Sequence, residues 1–204
     1  LAGGWTPELR DLAFSLAQAA PAAGLTATLV VARDEELADR VAALAAHLED
    51  GAAPLPPGAA FAEDPLLAGG GRLALVFPGQ GSLYPDMFAD LAVTFRPLAH
   101  SLGRADTVLG MDLSRLVLPV AAYDDAALQE AARALTPTEI AQPALGAVEA
   151  GLVDLLAGLG LSADMAAGHS YGELVALYAA GVFGRDDLFR ASRKRGELMV
   201  AAGG

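Results

Sequence analysis

A serine flanked by glycines is the residue in this sequence best suited to do chemistry. It lies between a short apolar run and a helical pattern, in the segment Gly168-His169-Ser170-Tyr171-Gly172. A serine on a sharp turn between a strand and a helix has an exposed hydroxyl, and the glycines relieve the crowding of such a turn. The first N–H groups of the helix then stabilise the oxyanion that forms when the serine attacks a carbonyl. The pattern favours Ser170 as a covalent nucleophile, although so short a motif also arises by chance in a chain with 23 glycines.

A second glycine-rich loop follows another apolar run. Residues 73–77 read as a buried strand, and the loop after them is Pro78-Gly79-Gln80-Gly81-Ser82. In an α/β fold, a strand followed by such a turn and a helix places the loop at the carboxyl edge of a parallel sheet. Gln80 offers a backbone N–H and a side-chain amide at that edge. An ordinary tight turn is the alternative, and the loop alone does not exclude it.

The elements around these loops predict a parallel α/β sheet. Two strands are separated by helical patterns, which is typical of parallel pairing with helices on the faces of the sheet. The predicted strands are 73–77 and 165–167, and the predicted helices are 86–102, 124–134, 138–159, 171–181 and 186–201.

The first part of the chain predicts a small α-β-α piece. A helix begins with Thr6 as its N-cap and Pro7 in its first turn, and a strand at 25–31 and a second helix from Asp34 follow. Residues 51–71 are rich in Pro, Gly and Ala without periodicity, so they predict a connection. We therefore divide the chain into a linker-type piece (1–57), a connection (58–72) and a main domain (73–204).

The composition describes a chain that can bury a core. Its 204 residues are 54% hydrophobic with a mean hydropathy of +0.41, which argues against disorder. A net charge of −12 is not the basic footprint of a nucleic-acid-binding protein. The lack of cysteine excludes a disulfide scaffold and fits a reducing cytoplasm. The uncharged stretch 12–32 could span a bilayer by length, but a turn at Pro21 divides it. We expect a soluble cytoplasmic protein without a signal peptide.

Four motifs together resemble the acyltransferase domains of fatty-acid and polyketide synthases, the malonyl-CoA:acyl-carrier-protein transacylases. They are, in chain order, Phe77-Pro78-Gly79-Gln80-Gly81-Ser82, Gln142-Pro143-Ala144-Leu145, Gly168-His169-Ser170-Tyr171-Gly172-Glu173 and Arg195-Gly196-Glu197-Leu198-Met199. The resemblance covers the chain from about Leu73. Residues 7–13 more weakly resemble the linker before the acyltransferase of type I polyketide synthases. Residues 172–177 are most similar to iterative synthases of enediyne or polyunsaturated chains.

The resemblance implies a fold and a set of roles. The fold is an incomplete, α/β-hydrolase-like acyltransferase subdomain with a parallel sheet, preceded by a small α/β linker domain. Ser170 takes an acyl group from malonyl-CoA and passes it to the phosphopantetheine thiol of an acyl carrier protein. The backbone N–H groups of Gln80 and Tyr171 form the oxyanion hole, and Gly168, His169 and Gly172 shape the elbow. No bound cofactor or metal is implied.

Arg195 and Tyr171 carry expectations about the acyl group. The family counterpart of Arg195 holds the free carboxylate of malonyl units, and a guanidinium suits that task because it binds a carboxylate through two hydrogen bonds. The alternative is a solvated cation near a helix end. Tyr171 is bulky for the position after the nucleophile, so we expect it to narrow the acyl pocket.

The general base is missing from the sequence pattern. The histidines are His47, His100 and His169, and their positions suit an appended helix, a helix end and the elbow itself. In the family, the base is a histidine far beyond the serine, after an inserted subdomain. The sequence ends 34 residues after Ser170. We expect an N-terminal half of an acyltransferase that is inactive or nearly so alone and is completed by the C-terminal half, beside a ketosynthase domain.

Two other functions use the same residues. A serine hydrolase or thioesterase would have the same elbow and pass the acyl group to water. It would not need a carboxylate-binding Arg195 beside the Gly-Gln-Gly loop. A non-catalytic docking module would use the α-β-α piece to bind a neighbouring ketosynthase, and Ser170 would never be acylated.

Overall fold

A computed structural model describes residues 8–19, 26–63, 67, 69–119 and 124–203. The chain divides into two compact units, Leu1–Gly71 and Arg72–Gly204. The predicted helix start at Thr6 and Pro7 lies outside the described residues.

The described residues of the first unit form two α-helices and a two-stranded sheet. Its elements are α1 (Leu9–Ala19), β1 (Thr26–Leu29), a 3-10 turn (Asp34–Glu36), α2 (Leu37–Glu49) and β2 (Ala59–Ala62). Strands β1 and β2 pair antiparallel, with Thr26 opposite Ala62. The prediction that 58–72 is a connection without regular structure is therefore wrong at β2. Strand β2 reads Ala-Ala-Phe-Ala and lacks β-branched residues, so its pairing comes from the β1 partner and not from its own propensity.

The second unit is an α/β fold with a parallel pair of strands. Strand β3 (Ala74–Phe77) pairs with β4 (Met165–Gly168), and Phe77 lies opposite Gly168 at the end of both strands. Parallel strands in register end at the same edge of the sheet, so the segments that follow them begin side by side. The fold class predicted from the sequence is confirmed, and this edge carries both glycine-rich loops.

Seven helices of the second unit are described. They are α3 (Ala89–Thr94), α4 (Arg96–Leu109), α5 (Leu113–Val117), α6 (Asp125–Ala134), α7 (Thr138–Gly158), α8 (Gly172–Ala179) and α9 (Arg185–Ala202). The prediction of one helix over 86–102 is wrong, because the chain is extended at Phe95 between α3 and α4. Pro97 lies in the first turn of α4, where it is tolerated, whereas a continuous helix would bring its ring against the carbonyl of Val93.

Helix α7 is the central helix of the second unit. It packs against α4 and α9, and its residues Ala141 to Gly151 are all buried. Among the described residues it is the one helix long and apolar enough to cross a membrane, but 67% of its most apolar window is buried inside the protein. That burial identifies α7 as a core helix. Its first turns lie against the loop that follows β3, through the hydrogen bond from Gln80 Nε2 to Thr138 Oγ1 at 3.2 Å.

Candidate active site

Ser170 lies on a tight turn between β4 and α8. Its φ of 55° is in the left-handed region, which costs a non-glycine residue about 1–2 kcal/mol, and its side chain is exposed. The Gly172 N–H donates to the His169 carbonyl at 3.0 Å and closes the turn. Strained backbone at an exposed serine is the geometry of a nucleophile elbow.

The two glycines of the elbow are required by close packing. A Cβ on Gly172 would lie 2.2 Å from the carbonyl oxygen of Phe77, and a Cβ on Gly168 would lie 2.1 Å from the carbonyl carbon of Gly172. Neither distance is possible for real atoms, so the elbow reaches this position against the end of β3 only with glycine at both sites.

The loop after β3 lies directly beside Ser170. The His169 N–H donates to the Phe77 carbonyl at 3.0 Å, which joins the starts of both loops. A Cβ on Gly79 would lie 3.8 Å from the Ser170 Cβ. Residues Gln80–Ser82 then form a 3-10 turn. The predicted nucleophile and the predicted oxyanion loop are therefore brought together by the parallel pairing of β3 and β4.

Several backbone N–H groups in these loops have no hydrogen-bond acceptor among the described residues, namely those of Gly79, Gln80, Gly81, Ser170 and Tyr171. The two predicted oxyanion donors, the N–H groups of Tyr171 and Gln80, are among them. Within the described part of the chain, neither N–H has a hydrogen-bond acceptor. Backbone N–H groups in a folded protein are normally paired, so two unused donors on the loops that meet at a serine are available to a ligand oxygen.

Arg195 differs from the two basic residues before it. Arg193 and Lys194 both form ion pairs with Glu197, at 2.9 and 3.6 Å. In the described residues Arg195 has no carboxylate partner, and its Nη1 contacts the Met199 sulfur at 3.3 Å. The guanidinium of Arg195 is partly exposed, so it can receive a carboxylate from outside the chain.

A hydrogen-bonded network joins Arg195 to the loop after β3. Gln142 Nε2 donates to Gln80 Oε1 at 2.8 Å and contacts Met199 Sδ at 3.3 Å. The Met199 sulfur also accepts a hydrogen bond from Arg195 Nη1. Gln80 Nε2 donates a hydrogen bond to Thr138 Oγ1. The network therefore links three parts of the site that are distant in sequence.

Comparison with known protein families identifies the family to which this chain belongs. The model of the acyl transferase domain matches residues 74–204, which include the elbow, the loop after β3 and Arg195. That match covers well over half of the chain. The chain belongs to the acyl transferase domain family.

Individual relatives of this acyl transferase domain agree. The polyketide synthase GfsA of Streptomyces halstedii is 34% identical over 197 residues, covering 95% of this chain and 2% of that protein. The malonyl CoA-acyl carrier protein transacylase of Synechocystis sp. is 39% identical over 133 residues, covering 65% of this chain and 41% of that protein. The resemblance to transacylases and type I polyketide synthase acyltransferases is confirmed. The narrower similarity to enediyne or polyunsaturated-chain synthases stays a prediction.

A solved structure shows the same fold. It is the malonyl-transacylase PlMCAT in complex with the type II polyketide acyl-carrier protein AntF, with a TM-score of 0.57 and 36% identity, covering 64% of this chain and 40% of that one. This acyl transferase domain thus spans less than half the length of the transacylases that it matches.

The side chain of Tyr171 corrects one expectation about the acyl transferase domain. It is fully buried, and its hydroxyl lies 2.8 Å from Ser192 Oγ. Burial raises the pKa of this hydroxyl. The ring therefore anchors the start of α8 in the core beside Ser192 and does not narrow a pocket at Ser170.

The histidines do not provide a partner for the nucleophile. His169 and His100 are exposed, and His47 Nδ1 contacts the Ala53 carbonyl at 2.5 Å in the first unit. No histidine hydrogen-bonds to Ser170 among the described residues.

Three members of the network are not predicted as site residues by the sequence. Gln142 stood in a motif that carried the family resemblance, which was a usable signal. Met199 closed another such motif. Thr138 had no signal, because a threonine at the start of a helix reads as an ordinary cap residue.

Proposed function

We propose that this acyl transferase domain moves a malonyl-type acyl group from CoA to Ser170 and then to the phosphopantetheine thiol of an acyl carrier protein. The main support for this proposal is that Ser170 is strained and exposed and lies against the loop that follows β3. The Tyr171 N–H in the elbow and the Gln80 N–H in that loop are both without an acceptor in the described residues. The relatives support malonyl-CoA as the acyl donor, because one of them is named a malonyl CoA-acyl carrier protein transacylase. They support a carrier protein as the acceptor, because a similar solved structure is a malonyl-transacylase in complex with an acyl-carrier protein.

The reaction has two balanced halves. Ser170 Oγ attacks the thioester carbonyl and loses its proton to a base, and the tetrahedral intermediate expels the CoA thiolate, which takes up a proton. The carrier thiol then loses its proton to the base and attacks the acyl-serine carbonyl, and the tetrahedral intermediate expels Oγ, which takes the proton back from the base. The N–H groups of Tyr171 and Gln80 stabilise the oxyanion in both halves. A covalent intermediate of this kind predicts ping-pong kinetics.

Arg195 supplies selectivity in this proposal. Its guanidinium binds the free carboxylate of the malonyl group through two parallel hydrogen bonds. The ion pairs of Arg193 and Lys194 with Glu197 support this role, because they leave Arg195 as the cation of the three without an internal acid in the described residues.

The general base comes from a segment outside these residues in our proposal. The positions of His47, His100 and His169 support this, because none of them hydrogen-bonds to Ser170. A small external base can replace a missing side chain, so imidazole is the natural probe for a site that is otherwise assembled.

Transfer to a thiol is the step that separates this function from hydrolysis. The chain is incubated with malonyl-CoA, imidazole and pantetheine, and malonyl-pantetheine and free malonate are quantified by mass spectrometry. We expect malonyl-pantetheine that depends on Ser170 and is absent with Ser170→Ala. Serine-dependent malonate without malonyl-pantetheine would instead identify a hydrolase. Equal product from Ser170→Ala would mean that imidazole alone carries the acyl group.

A further inference from the structure

Gln142 is a buried polar side chain at the junction of the site. It lies in the second turn of α7, is 0% exposed, and is followed by Pro143. Its Nε2 touches both Gln80 Oε1 and Met199 Sδ, at 2.8 and 3.3 Å. One amide group therefore contacts the loop that follows β3 and the sulfur against which the Arg195 guanidinium lies.

The sulfur fixes the orientation of the amides. A thioether sulfur is a weak acceptor, so it attracts an amide N–H and repels an amide oxygen. Gln142 therefore turns Nε2 toward Met199, and the same group donates to Gln80 Oε1. Gln80 Nε2 is consequently directed at Thr138 Oγ1, which accepts at 3.2 Å. Both ends of the Gln80 amide are held by α7.

A glutamine at position 142 is not explained by packing of the core alone. Gln142 Oε1 is buried and has no donor among the described residues. A buried acceptor without a donor is unfavourable, and methionine would fill a similar volume without this cost. An amide at this position is therefore explained by what its N–H groups hold.

We infer that Gln142 is a positioning residue that holds the Gln80 loop and, through Met199, the Arg195 guanidinium in one arrangement. It does not touch the reacting atoms. It acts through the Gln80 N–H, whose direction depends on the anchored side chain. The kinetic consequences of this inference rest on the proposed function. The anchoring of the Gln80 side chain by Gln142 does not depend on that function.

The test compares two matched variants on α7. Gln142→Met removes the hydrogen bonds and keeps the volume, and Leu145→Met changes another fully buried residue three positions later, outside the network. Malonyl and acetyl loading of Ser170 are followed with imidazole as the external base. We expect Gln142→Met to lower the maximal loading rate about tenfold or more for both acyl groups, less than the ~10²–10³ seen when a donor is lost outright. Leu145→Met should load at the wild-type rate.

Gln142→Glu gives a pH readout that simple packing would not produce. Burial raises the pKa of an introduced carboxyl, and its protonated form can donate to Gln80 Oε1, whereas its ionised form repels that oxygen. Loading by Gln142→Glu should recover toward wild type as the pH falls. A pH profile parallel to that of wild type would contradict a positioning role.

The anchoring is also measured without catalysis. Hydrogen exchange of the Gln80 side-chain amide is followed by NMR in wild type, Gln142→Met and Leu145→Met. We expect slow exchange in wild type and Leu145→Met and fast exchange in Gln142→Met. Unchanged exchange in Gln142→Met would overturn the inference even if loading were active. Failure of wild type to load, with the expected exchange pattern, would overturn only the proposed function and leave the anchoring established.

Discussion

Ser170 combines the chemistry of the site with its backbone strain. Its positive φ is a conformation that glycine adopts at little cost and that alanine does not. We predict that Ser170→Gly is more stable than Ser170→Ala by about 1 kcal/mol, although both remove the hydroxyl. Urea denaturation of the two variants measures the difference. Equal stability would mean that the turn is not strained at this residue in solution.

Gly172 shows how the elbow depends on a missing side chain. Gly172→Ala would force a Cβ against the Phe77 carbonyl oxygen, so we predict a loss of about 2 kcal/mol or more in unfolding free energy. The matched control is Gly103→Ala on α4, where nothing lies within 4 Å of the new Cβ. That change should stabilise the protein by about 0.5–1 kcal/mol. Thermal unfolding monitored by circular dichroism compares them, and similar shifts for both would contradict the packing.

Arg195 is expected to separate acyl groups by charge. With Arg195→Ala, loading of malonyl groups should fall by about one to two orders of magnitude, because a charge-assisted bidentate contact is lost. Acetyl loading should change little, since acetyl has no carboxylate to bind. Competition between malonyl-CoA and acetyl-CoA, followed by peptide mass spectrometry, gives the ratio. The same loss for both groups would exclude a carboxylate role.

At the scale of single residues, the sequence predicts the positions of the elbow residues better than it predicts the directions of their side chains. The spacing of Gly168, Ser170 and Gly172 was sufficient to predict the elbow. The inward direction of Tyr171 was not predictable, because its hydroxyl pairs with Ser192, which lies 21 positions away along the chain.

Helix α7 carries a second unusual polar group, Glu149. It is 5% exposed, and neither of its oxygens has a hydrogen-bond partner among the described residues. It lines a cavity of about 210 Å³. The other lining residues are all apolar: Leu75, Val76, Phe77, Pro78, Met87, Phe88, Leu152, Val153 and Leu156. No charged group faces it from these walls, and burial raises the pKa of Glu149 to about 8.

This buried acid makes stability depend on pH. The folded state holds the Glu149 proton up to about pH 8, whereas a carboxyl with the ordinary pKa of 4.5 has already lost it. Above pH 4.5 the folded state therefore binds more protons than the unfolded state, so stability falls as the pH rises through this window. We predict that Glu149→Gln flattens the decline. Denaturation midpoints at about pH 5 and pH 9 test this, and parallel curves for both proteins would contradict it.

At the scale of elements, long patterns were predictable and short ones were not. Helices α6 to α9 agree with the patterns in the sequence, because their periodicity and caps extend over several turns. The break at Phe95 depends on a single proline two positions later. Strand β2 depends on a partner strand and carries no pattern of its own, so only the structure reveals it.

At the scale of the whole molecule, the second unit presents an exposed apolar strand beside the candidate site. Its described sheet has two strands, and Val76 at the centre of β3 is 74% exposed although it belongs to an apolar run. The domain spans 40% of the transacylase PlMCAT. The edge of the sheet holds the elbow and the unused N–H groups of Tyr171 and Gln80. In the proposed function, the nucleophile and the oxyanion donors lie at this edge, and the general base comes from elsewhere.

The most direct measurement is the intact mass of the chain after incubation with malonyl-CoA, with and without imidazole, followed by peptide mapping. We predict one malonyl group on Ser170 that forms much faster with imidazole and is absent from Ser170→Ala. Fast loading without imidazole would contradict the placement of the base outside these residues. No adduct on Ser170 under either condition, while the chain remains folded, would contradict the central claim that this serine is an acyl-accepting nucleophile.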